Sequence, residues 1–272
     1  MKQYIFKIFS WLILTVVFSS CQKVINIDLN SAAPQLVVEG NISDQPGPYT
    51  VKLSQTVNFS DDNVFPAASG AQVIVSDNAG NSETLSEITP GNYTTSVLQG
   101  TAGRTYNMSI TFKGKNYTAT STMPFAVKID TITVDTSSHG GFGGGFGKTK
   151  SIKISAQFKD TAGIANYYRL VETVNGIQKN NIYIVSDYLQ DGAVISRNVS
   201  TRDTTIHSGD AVTVSLQSID KNVYEYFRTL NLLIGPAGAQ SASPANPTSN
   251  INNGALGYFS AYAVRSKSIV IP

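Results

Sequence analysis

The chain has 272 residues, of which 20 are Lys or Arg and 18 are Asp or Glu. Residues 1–20 contain Lys2 and Lys7 but no acid, so the rest of the chain carries 18 basic and 18 acidic side chains. A balanced surface lacks the basic patch that binding to a phosphate backbone requires, which argues against a nucleic-acid partner. Regular recurrence of Val, Ile, Leu, Tyr and Phe excludes a wholly disordered chain, and the length suits two modest domains.

Residues 1–20 have the pattern of an export signal. Lys2 and Lys7 precede an apolar run at 8–18, which is too short to span about 30 Å of hydrocarbon as a helix. Ser19 and Ser20 then lead to Cys21, the only cysteine in the sequence, so no intramolecular disulfide can form.

This arrangement resembles the lipobox of bacterial lipoproteins. We predict a lipoprotein signal peptide at residues 1–20 and a covalent lipid on Cys21, with no other cofactor. Several acyl chains hold a protein to a membrane surface almost permanently, so the membrane is a predicted partner. The alternative is a plain signal peptide followed by an incidental cysteine.

Alternation of apolar and polar side chains dominates the chain after Cys21 and predicts strands that bury one face. In the first part, strands are predicted at 25–29, 35–40, 49–53, 72–76, 92–97, 106–112 and 117–122. Turn residues rich in Pro, Gly, Asn and Asp separate them. Short strands at this spacing predict an immunoglobulin-like β-sandwich over residues 21–126.

The alternation resumes in residues 127–272 and predicts a second β domain, either another β-sandwich or an open barrel. Strands are predicted at 128–134, 152–158, 166–174, 181–185, 193–199, 211–218 and 257–264. Six glycines within residues 140–147 predict a flexible loop, because glycine loses the most entropy on ordering. The fold class is therefore all-β.

One helix is predicted near residues 220–234 of this second domain. Asp220 is a favourable N-cap, and Val223, Phe227, Leu230 and Ile234 fall on one helical face. We expect this helix to cover an open edge of the second sandwich.

The sequence offers little for catalysis. It contains two histidines, His139 and His207, and the motifs HExxH and GxSxG do not occur. Acidic runs at Asp61–Asn63 and Asp77–Asn78 do not continue into a calcium loop that ends in glutamate. We therefore predict no enzymatic activity, no catalytic residues and no metal site.

The clearest candidate for a binding surface is the stretch 229–264, which carries no charged residue. Asn252 and Asn253 can form hydrogen bonds, while Tyr258 and Tyr262 can stack, so these four residues are the predicted binding site for an uncharged partner. The alternative is a loop that only covers the end of the sandwich. Sugar binding through tyrosines is the other possible use of these side chains.

Short segments throughout the chain together match one known family. They lie at 27–29, 36–42, 49–54, 70–73, 91–93, 102–106, 117–124, 160–169 and 254–261. In these segments the sequence resembles the Bacteroidota outer-membrane lipoproteins grouped as domain of unknown function 4249. The resemblance implies an outer-membrane, lipid-anchored protein, often encoded beside a TonB-dependent receptor, and it supplies no catalytic residues.

These observations lead to one expected function and one alternative. We expect a membrane-anchored, non-catalytic accessory or ligand-binding lipoprotein of the outer membrane that works with a TonB-dependent receptor. The alternative is a surface adhesin that binds glycans or matrix. The sequence leaves open which face of the outer membrane carries the protein.

Overall fold

The computed structural model describes residues 33–58, 62, 64–139, 149–203, 205–234 and 245–272, without the side chains of 137–139, 149–151 and 201–203. The predicted signal peptide, Cys21, the predicted strand at 25–29 and the glycine-rich segment 140–147 lie outside the described residues. Residues 34–57 and 61–272 belong to one unit.

The described chain forms strands throughout, with a single helix among the residues described. The elements are β1 (Leu36–Ser43), β2 (Thr50–Gln55), β3 (Gln72–Asp77), β4 (Ser82–Thr84), β5 (Ser86–Thr89), β6 (Asn92–Thr94), β7 (Thr105–Phe112), β8 (Lys115–Thr122), β9 (Thr131–His139), β10 (Thr149–Lys159), β11 (Tyr167–Val174), β12 (Ile177–Gln178), β13 (Tyr183–Ser186), β14 (Val194–Asp203), β15 (Ala211–Ile219), α1 (Lys221–Ile234) and β16 (Leu256–Val270). The prediction of an all-β chain with one helix is confirmed.

The first sandwich packs two sheets around one apolar core. One sheet has the order β4-β3-β7-β8, and the facing sheet contains β5, β6, β2 and β1. Strand β7 shows how the sequence pattern builds this core: Tyr106, Met108, Ile110 and Phe112 are buried, while the residues between them point away. Because side chains alternate across a strand, a period of two is sufficient to define the buried face. The predicted immunoglobulin-like sandwich is confirmed.

The second sandwich is built in the same way from β14-β10-β9 on one side and β12-β11-β15-β16 on the other, with β13 also paired to β11. Its core includes Phe158 and Tyr168, whose rings meet edge to face with centroids 4.9 Å apart. Of the two predicted alternatives for this domain, the structure has the sandwich, because two separate sheets enclose the core.

Strand β16 belongs to both sandwiches. Its first half pairs in parallel with β1, from Val37 opposite Leu256 to Ser43 opposite Tyr262. Its second half pairs antiparallel with β15, from Ala263 to Val270. The two pairings join the facing sheets into one nine-stranded sheet. The prediction ended this strand at residue 264, but pairing with β15 extends it through Arg265 and Lys267.

The chain passes from the first core to the second near the predicted boundary, and its C-terminal part contributes residues to both cores. Ala126 packs against the first core and Val127 against the second. Later, Ile251, Phe259 and Ala263 return to the first core, although they follow the second domain along the chain. The physical reason is β16, whose parallel pairing with β1 carries its apolar face over the first core.

Helix α1 covers a sheet face and not a sheet edge. Asp220 caps the helix, since its carboxylate accepts a hydrogen bond of 2.9 Å from the backbone N–H of Val223. Val223 and Phe227 are buried, as the helical pattern predicts. They pack on the outward face of β11, where Arg169 and Tyr167 alternate with residues that enter the second core. The predicted edge location is therefore wrong, because the outward face of this sheet is itself apolar enough to bury a helix.

None of the helical structure in the described residues has the length and hydropathy needed to cross a bilayer.

Candidate functional site

A cleft of about 600 Å³ opens beside helix α1. Its walls come from three separate parts of the chain: the loop between β10 and β11, the end of β13 with the loop that follows, and the first two turns of α1. The lining combines aromatic and charged side chains, namely Tyr167, Tyr188, Tyr224, Asp187, Asp191, Glu225 and Arg228. A volume of this size is typical of ligand pockets.

The aromatic part of the cleft is only partly covered. The rings of Tyr167 and Tyr224 pack at 5.0 Å with an angle of 41° between them. Tyr188 is 87% exposed, and Ile164 beside it in the lining is 58% exposed. Leu189, next to Tyr188 in the chain, is also exposed. Grouped apolar side chains at a cleft mark a surface that binds something, because water covers them at a free-energy cost.

Two acidic side chains tie the loops of the cleft together. Asp187 accepts a hydrogen bond of 2.7 Å from the backbone N–H of Asn166, and Asp191 accepts one of 2.8 Å from Gly163. Each bond joins the loop after β13 to the loop before β11. The walls are therefore held in place by charge-assisted bonds, which are stronger than bonds between neutral groups.

A third acidic side chain, Asp160, is buried like Asp187, whereas Asp191 is exposed. Its carboxylate accepts hydrogen bonds from the Tyr168 hydroxyl at 2.5 Å and from the Gly192 N–H at 2.8 Å. Burial raises the pKa of Tyr168 well above its usual value, and the bond to Asp160 raises it further. Tyr168 therefore stays a neutral hydrogen-bond donor to Asp160 at any physiological pH.

Carboxylate oxygens of Asp160, Asp187 and Asp191 lie within 4.8 Å of one another, which makes this the group of described side chains that could hold a metal ion. Carboxylate oxygens suit hard cations such as Ca²⁺, which takes six to eight oxygen ligands. Each of the three already accepts bonds from the protein, so part of its negative charge is offset without a metal. The sequence prediction of no metal site stays a prediction.

The cleft lining contains more acidic than basic side chains. The guanidinium of Arg228 pairs with Glu225 at 2.7 Å, so this cation is neutralised within the helix. No Lys or Arg among the described residues forms an ion pair with Asp187 or Asp191. The cleft therefore presents uncompensated negative charge next to tyrosine rings.

Two of the predicted binding residues, Tyr258 and Tyr262, lie under helix α1 and outside the lining of this cleft. The Tyr258 ring stands 4.9 Å from the rings of both Tyr226 and Phe227, and its hydroxyl accepts a bond of 3.3 Å from the Asn41 amide. Burial raises the pKa of Tyr262, and burial with the nearby Tyr258 raises that of Tyr226 to about 12. These tyrosines anchor the helix to β16, which leaves only part of each ring for a partner.

Arg169 completes this aromatic cluster. Its guanidinium carbon lies 4.0 Å from the centre of the Phe227 ring, in a cation–π contact. Burial lowers the pKa of Arg169, while the hydroxyls of Tyr258 and Tyr262 oppose that shift. Its Nε atom has no hydrogen-bond partner in the described structure. The cation is therefore held by rings and the side-chain amide of Gln217, at 3.4 Å, and not by a carboxylate.

The other two predicted binding residues, Asn252 and Asn253, bond to strand β8. The Asn252 side chain accepts a bond of 2.7 Å from the Thr118 N–H and donates one of 2.7 Å to the Thr118 hydroxyl. Asn253 donates to the Asn116 carbonyl. The loop that carries them thus continues the sheet edge with side-chain amides. Residues 235–244 of the same loop lie outside the described part.

Sequence reasoning missed the cleft because its parts are far apart in the chain. The exposed pair Tyr188-Leu189, between two acids, was the available signal. Nothing in the local pattern indicates that this loop faces residues 224–228 of a helix. That contact depends on how β11 and β13 pair and on the face to which α1 packs.

Fold and site together define an all-β protein of two sandwiches that share one strand, with an aromatic and acidic cleft beside its helix. The chain belongs to the family described as Domain of unknown function (DUF4249), whose model matches residues 22–268. The resemblance to domain of unknown function 4249 noted in the sequence is thereby confirmed, while the outer-membrane lipoprotein context stays a prediction.

Other comparisons add little. No curated protein matches this sequence significantly. Among solved structures, the chain is similar to a segment of two fibronectin type III domains from chicken tenascin, with 13% identity over 69% of this chain and 91% of that chain. The TM-score of 0.21 is too low for this likeness to support any inference about fold or function.

Proposed function

We propose that this chain is a membrane-anchored, non-catalytic lipoprotein of the outer membrane that binds a ligand in the cleft beside α1 and acts as an accessory to a TonB-dependent receptor. The observation that carries the binding role is the cleft, where Tyr188 and Ile164 stay exposed in the same lining as Asp187 and Asp191, which form no ion pair with a described Lys or Arg. A ligand that covers these groups removes apolar surface from water and satisfies the charge.

The anchor is supported by the order of features at the N-terminus. A basic start, an apolar run and two small residues lead directly to Cys21. A lipid there would tether the mature chain to a membrane and raise its effective concentration near any receptor in the same membrane. Support for the receptor itself comes from the family resemblance alone.

The non-catalytic role is supported by the residue types at the cleft. Among the described residues, its lining contains no histidine or cysteine. Asp187 and Asp191 already accept hydrogen bonds from the loop backbones. Such bonds suit a preformed binding surface better than they suit proton transfer.

A glycan- or matrix-binding adhesin is the second candidate. Tyr188 stands exposed at the cleft, where its ring could stack on a sugar, and the neighbouring carboxylates could accept bonds from sugar hydroxyls. The same surface therefore serves both candidates, and the ligand distinguishes them.

A binding screen tests the proposal. The folded chain without its predicted anchor residue, residues 22–272, is screened against neutral oligosaccharides and against acidic, neutral and basic peptides. We expect at least one class to bind and to lose about tenfold in affinity in Tyr188→Ala, because an exposed aromatic ring that a ligand covers contributes more than about 1 kcal/mol. Phe65→Ala removes another exposed aromatic ring outside the cleft and is the matched control.

The outcomes separate the candidates. Binding of oligosaccharides alone favours the adhesin. If Tyr188→Ala binds every probe as well as the parent does, the cleft is not the site and the proposal fails. Co-purification of the tagged chain with a TonB-dependent receptor of the same membrane tests the accessory role independently.

A further inference from the structure

We infer that the cleft binds a basic peptide segment, with the charged end of a lysine or arginine against its carboxylates and the side-chain stem across its tyrosines. This inference rests on the proposed binding role of the cleft and extends it by naming the chemistry of the ligand.

The net negative charge of the cleft lining favours a basic ligand. Asp187, Asp191 and Glu225 line the cleft against a single cation, and that cation, Arg228, is already paired with Glu225. A neutral ligand would cover the exposed Asp191 and remove water from it without supplying an opposite charge, and the buried Asp187 beside it would gain none either. A basic group replaces that water with a charge-assisted hydrogen bond, so the cost of burying the acids is offset.

The tyrosine rings of the cleft also favour a lysine or arginine side chain. The paired rings of Tyr167 and Tyr224 and the exposed ring of Tyr188 lie in the same lining as the acids. A cation above a tyrosine face is attracted by the ring quadrupole. Lysine and arginine also carry apolar stems that pack along rings while their charged ends reach polar groups. Tyrosine rings beside carboxylates match both parts of such a side chain.

The extent of the exposed apolar surface favours a peptide over a small amine. The apolar surface does not stop at the cleft, since Leu189, just outside the lining, is 88% exposed. A small amine would fill the acidic part and leave Leu189 and much of Tyr188 in water. A peptide that continues beyond its basic residue can cover them as well.

The test uses three capped hexapeptides that differ in charge. Each alternates glycine with one other residue, which is lysine in the first peptide, glutamine in the second and glutamate in the third. Binding to residues 22–272 is measured by calorimetry at low and at high salt. We expect the lysine peptide to bind at least tenfold more tightly than the glutamine peptide and to weaken as salt rises, while the glutamate peptide does not bind.

Substitutions locate the binding. Asp191→Asn removes an exposed carboxylate of the cleft and keeps a group that can bond to Gly163. We expect this substitution to lower the affinity for the lysine peptide about tenfold, and we expect the same of Tyr188→Ala. Asp135→Asn is the matched control, since it removes one exposed carboxylate that does not line the cleft. The affinity of the Asp135→Asn variant for the lysine peptide should stay within about twofold of that of the parent.

Four results would overturn the inference. Equal affinity for the lysine and glutamine peptides would show that charge is not recognised, although the binding role of the cleft would stand. Oligosaccharide binding that Tyr188→Ala abolishes, without peptide binding, would favour the adhesin. Stabilisation by Ca²⁺ that Asp191→Asn removes, together with loss of peptide binding in Ca²⁺, would assign the acids to a metal ion. Failure of every probe to bind would also refute the proposed function.

Discussion

The hydroxyl of Ser121 donates a hydrogen bond of 2.5 Å to the carboxylate of Asp220 and thereby joins strand β8 of the first sandwich to the N-terminus of helix α1. The same hydroxyl accepts a bond of 2.9 Å from the Ala261 N–H on β16. Asp220 also accepts a bond from the Thr122 N–H. One short polar chain therefore connects three elements at the place where the two sandwiches meet.

Removal of the Asp220 carboxylate should destabilise the whole chain. We expect Asp220→Ala to lower the free energy of unfolding by about 2–3 kcal/mol, from the lost helix cap and from the buried Ser121 hydroxyl left without its acceptor. Asp220→Asn keeps an acceptor for the helix and should cost about half as much. Urea unfolding followed by circular dichroism measures both, because no tryptophan remains after residue 20. Equal losses in the two variants would contradict this account.

Gly257 should tolerate no side chain. Its φ is +92°, and a Cβ there would lie 1.9 Å from the carbonyl oxygen of Val38, inside the parallel pairing of β1 with β16. We expect Gly257→Ala to cost more than about 4 kcal/mol or to prevent folding, since both sandwiches depend on this strand. Gly254→Ala is the matched control: its φ is +75°, but nothing lies near its Cβ. It should cost only about 1 kcal/mol.

The acid sensitivity of the fold should depend on Asp77. Burial alone would raise the pKa of this carboxyl, but hydrogen bonds from Asn81 and Arg104, the latter at 2.8 Å, lower it to about 2. A depressed pKa means that the stabilisation is complete above the unfolded value near 4 and is lost as the pH falls towards 2. The contribution should be about 1–2 kcal/mol, since Arg104 is partly exposed.

This pH dependence can be measured directly. The unfolding free energy of the parent should fall between pH 5 and pH 2 more steeply than that of Asp77→Asn, which cannot ionise at this position. Parallel curves for the two proteins would show that other acids cause the loss.

Asn252 should contribute to stability and not to binding in the cleft. Its amide makes two bonds to Thr118, so Asn252→Ala should lower the unfolding free energy by about 1–2 kcal/mol. Affinity for any ligand of the cleft should stay unchanged in the same variant. If the Asn252→Ala variant is fully folded but binds the ligand more weakly, Asn252 belongs to the binding surface predicted from the sequence.

Cys21 should carry the membrane anchor. With the natural signal in place, Cys21→Ser should abolish incorporation of an alkyne fatty acid and release the protein from the membrane fraction, because acylation requires the thiol. A matched Ser20→Ala variant keeps a small residue before the cysteine and should label like the parent. Equal labelling of Cys21→Ser and the parent would refute the anchor.

The sequence by itself determined the local structure. A period of two identified the strands and their buried faces, as in β7, because alternation is fixed by backbone geometry wherever one face leaves water. Asp220 and the apolar positions Val223 and Phe227 determined the start and the buried face of α1 for the same reason, since capping and helical period are local. The short strands β4, β5 and β12 escaped prediction because they bury little and carry no such pattern.

Only the tertiary structure decided which strands are neighbours. The pairing of Val38 with Gly257 joins residues more than 200 positions apart, and an alternating pattern says which face is buried but not which strand lies alongside. That pairing assigns one half of β16 to each sandwich. The packing of α1 on β11 then places Tyr224 opposite the loop of Tyr188 and Asp191 and so forms the cleft. A site assembled from three distant segments follows from these long-range contacts, because no local pattern determines which segments meet.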